Sequence, residues 1–264
     1  MAQVTDVFFI SQGPEAALAE VKRRSGSWFD PQLVEALLRL GADPLFWTSL
    51  QDPDLPQRVV AFETLKHASP VNEDYLDDIA AAFAEVIDAK TPYTGGHSDR
   101  VALFSNMIAV ELGMSDERRR HLRRAALLHD IGKLGVSNLT LDKPGKLDDE
   151  EWAEIKRHPA LGRTILARVR AFDELSEVAG NHHERLDGKG YPCGIAGETI
   201  DFESRIVAVA DVFDALTADR PYRKAMEATA ALAILDDMTG PALDVNCVTA
   251  LKRALVGLNA AQAA

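Results

Sequence analysis

Cysteine is scarce. Only Cys193 and Cys247 occur, far apart and in no CxxC spacing, which argues against both a disulfide framework and a thiolate zinc site. The opening MAQVTDVFFISQGPEAALAE has no basic start followed by an apolar run, and no later apolar stretch reaches the length of a bilayer span. The expectation is a soluble cytoplasmic protein with no membrane contact. Positive charge is also short: 29 Lys and Arg against 41 Asp and Glu leave a net charge of −12. Long-range attraction to a nucleic-acid polymer needs a basic face, so such a partner is not expected. The one basic cluster, Arg118, Arg119, Arg120, Arg123 and Arg124, stands at helical spacing and reads as a solvated helix face.

Strand signals are nearly missing too, and helical periodicity fills the space. It recurs in YLDDIAAAFAEVIDAK, RVALFSNMIAVELG, SDERRRHLRRAALLHD, DDEEWAEIKR, SRIVAVADVFDALTA and AALAILDDM. The predicted fold is all-α. Gly113 can close one helix, Ser115 can cap the next, and Asp148 with Glu151 forms a capping-box pattern. The helix-poor segments KLGVSNLTLDKPGK and HHERLDGKGYPCGIAGETID read as ordered loops, where binding groups are often carried.

With 264 residues, 47% of them hydrophobic, the chain can form one large core or a domain with an attachment. The division predicted is 1–72 as a helical accessory module and 73–264 as the catalytic domain, with PDLPQRVV and HASPVNED as candidate breaks. The module needs to bury Trp28, Phe29, Leu33, Val34 and Leu37, and its expected role is packing on the catalytic domain or forming a homodimer. A faint internal repeat aligns the stretch from Ala16 with that from Ala230, matching Gly26, Asp30, Val34 and Leu37 to Gly240, Asp244, Val248 and Leu251. Two readings stand: a duplicated terminal element, or two unrelated amphipathic hairpins.

Seven histidines occur, and five of them, His97, His129, His158, His182 and His183, stand in segments with Asp130 and Asp211 nearby. One buried histidine is ordinarily a hydrogen-bonded core residue; five with two aspartates suggest a site for divalent ions of the iron, manganese or zinc type. Two such ions about 3.5 to 4 Å apart can hold a hydroxide and stabilise the attacking and leaving oxygens of a phosphoester. Leu122, Ala126 and His129 share one helix face, which turns His129 inward, with Asp130 beside it. Asp211 lies among apolar neighbours, where an unpartnered carboxylate is costly.

HSDRV, LLHDIGK, KRHP, NHHERLDGKGYP and VADVFDALTADRPYR stand in the order and spacing of a known family. Over roughly residues 75–255 the chain resembles the HD-GYP phosphodiesterases, a branch of the HD metal-dependent phosphohydrolases. The resemblance implies a helical HD-domain core that hydrolyses cyclic di-GMP to linear pGpG with two transition metal ions, iron or manganese in the first instance. It implies His97, His129, Asp130, His158, His182, His183 and Asp211 as metal ligands, with Asp130 bridging. It assigns Lys133 to the substrate phosphate, and Tyr191, Arg220 and Arg223 to the nucleotide. The loop of Gly190, Tyr191 and Pro192 is implied as a contact for a diguanylate-cyclase domain in some members. Members that hold three metals carry a glutamate four residues before the first histidine; Tyr93 stands there, which implies two metals. The alternatives are a domain that binds without cleaving, and a hydrolase of another nucleotide, including another cyclic dinucleotide.

Overall fold

The computed structural model describes residues 1–62, 72–91, 95–219 and 224–262. His67, Tyr93, Arg220 and Arg223 lie outside them. The chain divides into two units, Met1–Pro70 and Val71–Ala264. Every regular element is a helix, with two isolated bridges in place of a sheet among the described residues, so the fold is all-α. No helix among them is long and apolar enough to cross a membrane.

The first unit holds α1 (Ala2–Gln12), α2 (Pro14–Arg23), α3 (Pro31–Gly41), α4 (Pro44–Ser49) and α5 (Leu55–Ala61). Prolines open α2 to α5, where the missing N–H costs nothing. Two expectations fail here. PDLPQRVV does not break the chain; it forms α5, because its second proline sits in the first turn of a helix. Trp28 and Leu33 are not buried: they are 72% and 57% exposed, while Trp47 fills the small core with Ala17, Val21 and Val34 and donates its Nε1–H to the Gly41 carbonyl.

The second unit holds α6 (Glu73–Asp88), α7 (His97–Glu111), α8 (Asp116–Leu128), α9 (Asn138–Leu141), α10 (Asp149–Ile155), α11 (His158–Leu166), α12 (Leu175–Asn181), α13 (Phe202–Thr217), α14 (Ala228–Met238) and α15 (Val245–Gln262). The caps anticipated from sequence form: Ser115 accepts from Arg118 N, and Asp148 and Glu151 close a capping box on α10. In α6, Leu76, Ala80, Ala84 and Ile87 make one buried face against α8. α8 in turn packs on α7 and α12, and α7 on α13 and α15, so α7 and α8 stand at the centre. Leu122, Leu127 and Leu128 are fully buried there, each representing roughly 2–5 kcal/mol against truncation to alanine. Four of the five arginines of α8 pair with carboxylates, so the face is solvated only in part, with Arg118 and Arg123 exposed and Arg124 buried. Arg124 is buried and holds Glu73 and Asp77, Arg120 pairs with Asp74 and Asp77, and Arg118 reaches Glu203.

The repeat has a structural counterpart. A bridge joins Ser25 to Phe29 after α2, and another joins Thr239 to Leu243 after α14, at equivalent positions. Gly26 and Gly240 supply the positive φ that each turn needs, at 75° and 93°. Asp30 then accepts from Gln32 N at 2.7 Å, and Asp244 from Asn246 N at 2.8 Å. Ala17, Val21 and Val34 are buried, as are their counterparts Ala231, Leu235 and Val248. This agreement in turn, cap and buried face favours the duplicated element over two unrelated hairpins.

Candidate metal centre

The ends of four helices and the middle of a fifth meet at one place. His97 opens α7, His129 closes α8 and is followed by Asp130, His158 opens α11, and His182 and His183 follow α12. Asp211 projects from the middle of α13. A 3-10 turn over Ile131–Gly135 runs so close to α11 that a Cβ on Gly132 would lie 1.8 Å from the His158 carbonyl oxygen. Glycine is therefore what lets Asp130 and His158 approach each other. The turn also revises the geometry of Lys133, which stands on it rather than one α-helical turn beyond His129.

Asp130 is buried and divides its two oxygens between two groups of imidazoles. Its Oδ2 lies 3.5 Å from His97 Nε2 and 3.4 Å from His129 Nε2. Its Oδ1 lies 3.2 Å from His158 Nε2 and 3.9 Å from His182 Nε2. Two further triads complete the arrangement, His97 with His129 and Asp211, and His158 with His182 and His183; within each, the donor atoms lie within 4.8 Å of one another. All seven residues expected as ligands are thus brought together.

The backbone sets which nitrogen faces inward. Nδ1 of His129, His158 and His182 lies 2.6, 2.8 and 2.9 Å from the carbonyl oxygen three residues earlier. A carbonyl can only accept, so Nδ1 carries the proton and Nε2 presents a lone pair. Those lone pairs face one another and a carboxylate: His158 Nε2 is 3.2 Å from His182 Nε2, and buried His129 Nε2 and Asp130 Oδ1 have no hydrogen-bond partner among the described residues. Converging lone pairs repel unless a cation lies between them, so this donor set fits divalent metal.

The electrostatics set burial against the carboxylates. Burial opposes charge on His97, but Asp130, Asp214 and Asp211 outweigh it and raise its pKa to about 9. Burial also favours a neutral Asp130, yet the Lys133 ammonium first, with the surrounding imidazoles, holds it well below the usual carboxylate range. Burial lowers His129 and His182, which keeps both imidazoles neutral.

Lys133, partly exposed, pairs with Asp130 Oδ2 at the rim. The Tyr191 ring lies 4.8 Å from that of His183 and 6.3 Å from that of Trp152. Its loop is fastened by Glu184, whose carboxylate accepts from the N–H groups of Cys193 and Gly194 at 2.7 and 3.0 Å. Arg220 and Arg223 lie outside the described residues, so their expected nucleotide contacts have no geometry here. Sequence reasoning passed over Glu184, Asp214 and Arg100. The burial argument applied to Asp211 would have found Asp214, three residues on in the same apolar helix and fully buried.

A family model described as "HD domain" matches residues 81–246. The 3'3'-cGAMP-specific phosphodiesterase 3 of Vibrio cholerae is 49% identical over 255 residues, 97% of this chain and 55% of that protein. The cyclic di-GMP phosphodiesterase response regulator RpfG of Xanthomonas campestris is 38% identical over 219 residues, 82% of this chain and 58% of that protein. The chain therefore spans about half the length of these relatives. Among solved structures, a cyclic GMP-AMP specific phosphodiesterase of V. cholerae, V-cGAP3, superposes with a TM-score of 0.58 at 45% identity, covering 96% of this chain and 58% of its own.

Proposed function

The chain belongs to the HD domain family, and from that premise we propose that it is a metal-dependent phosphodiesterase that opens a cyclic dinucleotide to its linear form in the bacterial cytoplasm. The observation that carries this reading is Asp130, whose two oxygens serve two separate groups of imidazoles. His97, His129 and Asp211 would hold one divalent ion and His158, His182 and His183 the other, with Asp130 between them. Iron or manganese suits this mixture of imidazole and carboxylate. Such ions, when bound, lower the pKa of water and draw charge from phosphoryl oxygens.

The chain's own residues prepare the site for that chemistry. Backbone carbonyls hold His129, His158 and His182 in the tautomer that leaves Nε2 free. The Lys133 ammonium, at the rim beside Asp130, is placed to offset charge growing on the phosphoryl group. Tyr191, over His183, offers a ring on which a purine can stack. Arg220 and Arg223 are proposed nucleotide contacts, Gly190, Tyr191 and Pro192 a proposed docking loop, and residues 1–72 a proposed accessory module.

The motifs led to cyclic di-GMP as the expected substrate; the 49% identity to a 3'3'-cGAMP-specific enzyme supports 3'3'-cGAMP as the first one to test. The decisive experiment combines metal analysis of the purified protein with turnover of 3'3'-cGAMP, cyclic di-GMP and nucleoside monophosphates in manganese or ferrous iron. Two metals per chain with hydrolysis of a cyclic dinucleotide to a linear one is expected. Metal-loaded protein that binds these nucleotides and cleaves none would make it a binding module instead.

A further inference from the structure

The four inner histidines are not held alike. His129, His158 and His182 each give Nδ1–H to a backbone carbonyl, whereas His97 Nδ1 lies 2.7 Å from Oδ2 of Asp214. Asp214 is fully buried, and Arg100 grips it from one helical turn beyond His97, through Nε to Oδ1 at 2.5 Å and Nη2 to Oδ2 at 3.2 Å. The same guanidinium donates from Nη1 to the Gly95 carbonyl at 3.0 Å, which ties the residues just before His97 to α13. A carboxylate behind an imidazole makes its outer nitrogen a stronger donor than a neutral carbonyl does. The two candidate positions therefore differ in charge. One has His97, His129 and Asp211 with Asp214 behind; the other has His158, His182 and His183 and, among the described residues, no carboxylate but the shared Asp130.

We propose that Asp214, held by Arg100, is a positioning residue that makes the His97, His129 and Asp211 position dependent on a carboxylate the other position lacks, so that the two metals bind and leave as separate events. This rests on the two-metal reading of the site. It adds that the ion at the first position is set by an acid that touches neither metal nor substrate, and that the all-histidine position is the one suited to softer ions such as zinc or nickel.

The test is an equilibrium titration of the full chain with manganese and with zinc, in buffered free metal and without nucleotide. Parent protein is expected to bind two ions per chain with separable affinities. Asp214→Ala is expected to weaken one of them about 10- to 100-fold, the size usual for loss of a partner behind a ligand, and to leave the other unchanged. Asp214→Asn keeps an oxygen for Nδ1–H and removes the charge, and should lie between the two; it carries the test if the alanine variant fails to fold. Position is assigned by double variants. On His183→Ala, the effect of Asp214→Ala should persist in full; on Asp211→Ala, it should shrink. Equal weakening of both ions, or unchanged affinities with only a lower melting temperature, overturns the proposal and makes Asp214 a packing residue. Absence of cyclic dinucleotide hydrolysis would sink the proposed activity while leaving this result intact, because no nucleotide enters the measurement.

Discussion

Asp130 has neighbours on both sides, and among the described residues its Oδ1 has no hydrogen-bond partner. Asp130→Ala should therefore abolish hydrolysis and most metal binding, while far-ultraviolet circular dichroism stays helical. Retention of two metals in that variant would refute its place between the two groups. Lys133 differs, since it reaches Asp130 by charge and is not in either triad. Lys133→Ala should keep its metal and lose about 10²-fold in kcat, the scale of removing one group that stabilises developing charge. Parent-like kcat in the metal-loaded variant would remove Lys133 from the machinery.

At the scale of elements, the site depends on how closely backbones meet. Gly132 lets the 3-10 turn sit against α11, and a Cβ there would meet main-chain atoms of His158 and Gly162 that cannot swing aside. Gly132→Ala should cost at least about 2 kcal/mol, at the upper side of ordinary overpacking, and should lower metal affinity with it. Denaturant unfolding and metal titration check the two parts, and an unchanged affinity would mean that the turn does not set the spacing of Asp130 and His158. α6 is pinned to α8 differently, by Asp77 between Arg120 and Arg124. Burial alone would raise the pKa of Asp77, but the two guanidiniums outweigh it and hold it below 3.8. A depressed carboxyl stabilises the fold above its unfolded pKa and loses that contribution as pH falls through the lower folded value. Asp77→Asn should cost about 2 kcal/mol at pH 7, in the range of hydrogen bonds to charged groups, with the gap from parent closing on the acid side of 3.8. A gap that stays constant down to pH 3 would assign the loss to packing instead.

At the scale of the molecule, the two units have separate content. The candidate metal residues all lie in Val71–Ala264, and the first unit has its own small core around Trp47. A fragment of residues 72–264 should fold, bind metal in the parent stoichiometry, and melt at a lower temperature after chelation, because metal binds the folded state only. Calorimetry with and without chelator checks it, and a folded fragment without metal would show that the accessory unit completes the site.

What the sequence determined by itself is what depends on residue type and local spacing. Helical periodicity, the caps at Ser115 and Asp148 and the inward face of His129 are local properties, and each forms as read. The seven candidate ligands were legible because imidazole and carboxylate in such number have few other uses, and the HD and GYP motifs carried their family. What tertiary structure decided is everything that joins distant segments. That Asp130 turns one oxygen to His97 and His129 and the other to His158 and His182 follows from four helix ends meeting around a glycine turn. Asp214 becomes the partner of His97 across 117 residues, and Arg124 is buried against α6, only because α7, α8 and α13 pack as they do. Sequence period reports which face of a helix is apolar; it does not report which charged groups the opposite helix will bring to meet it.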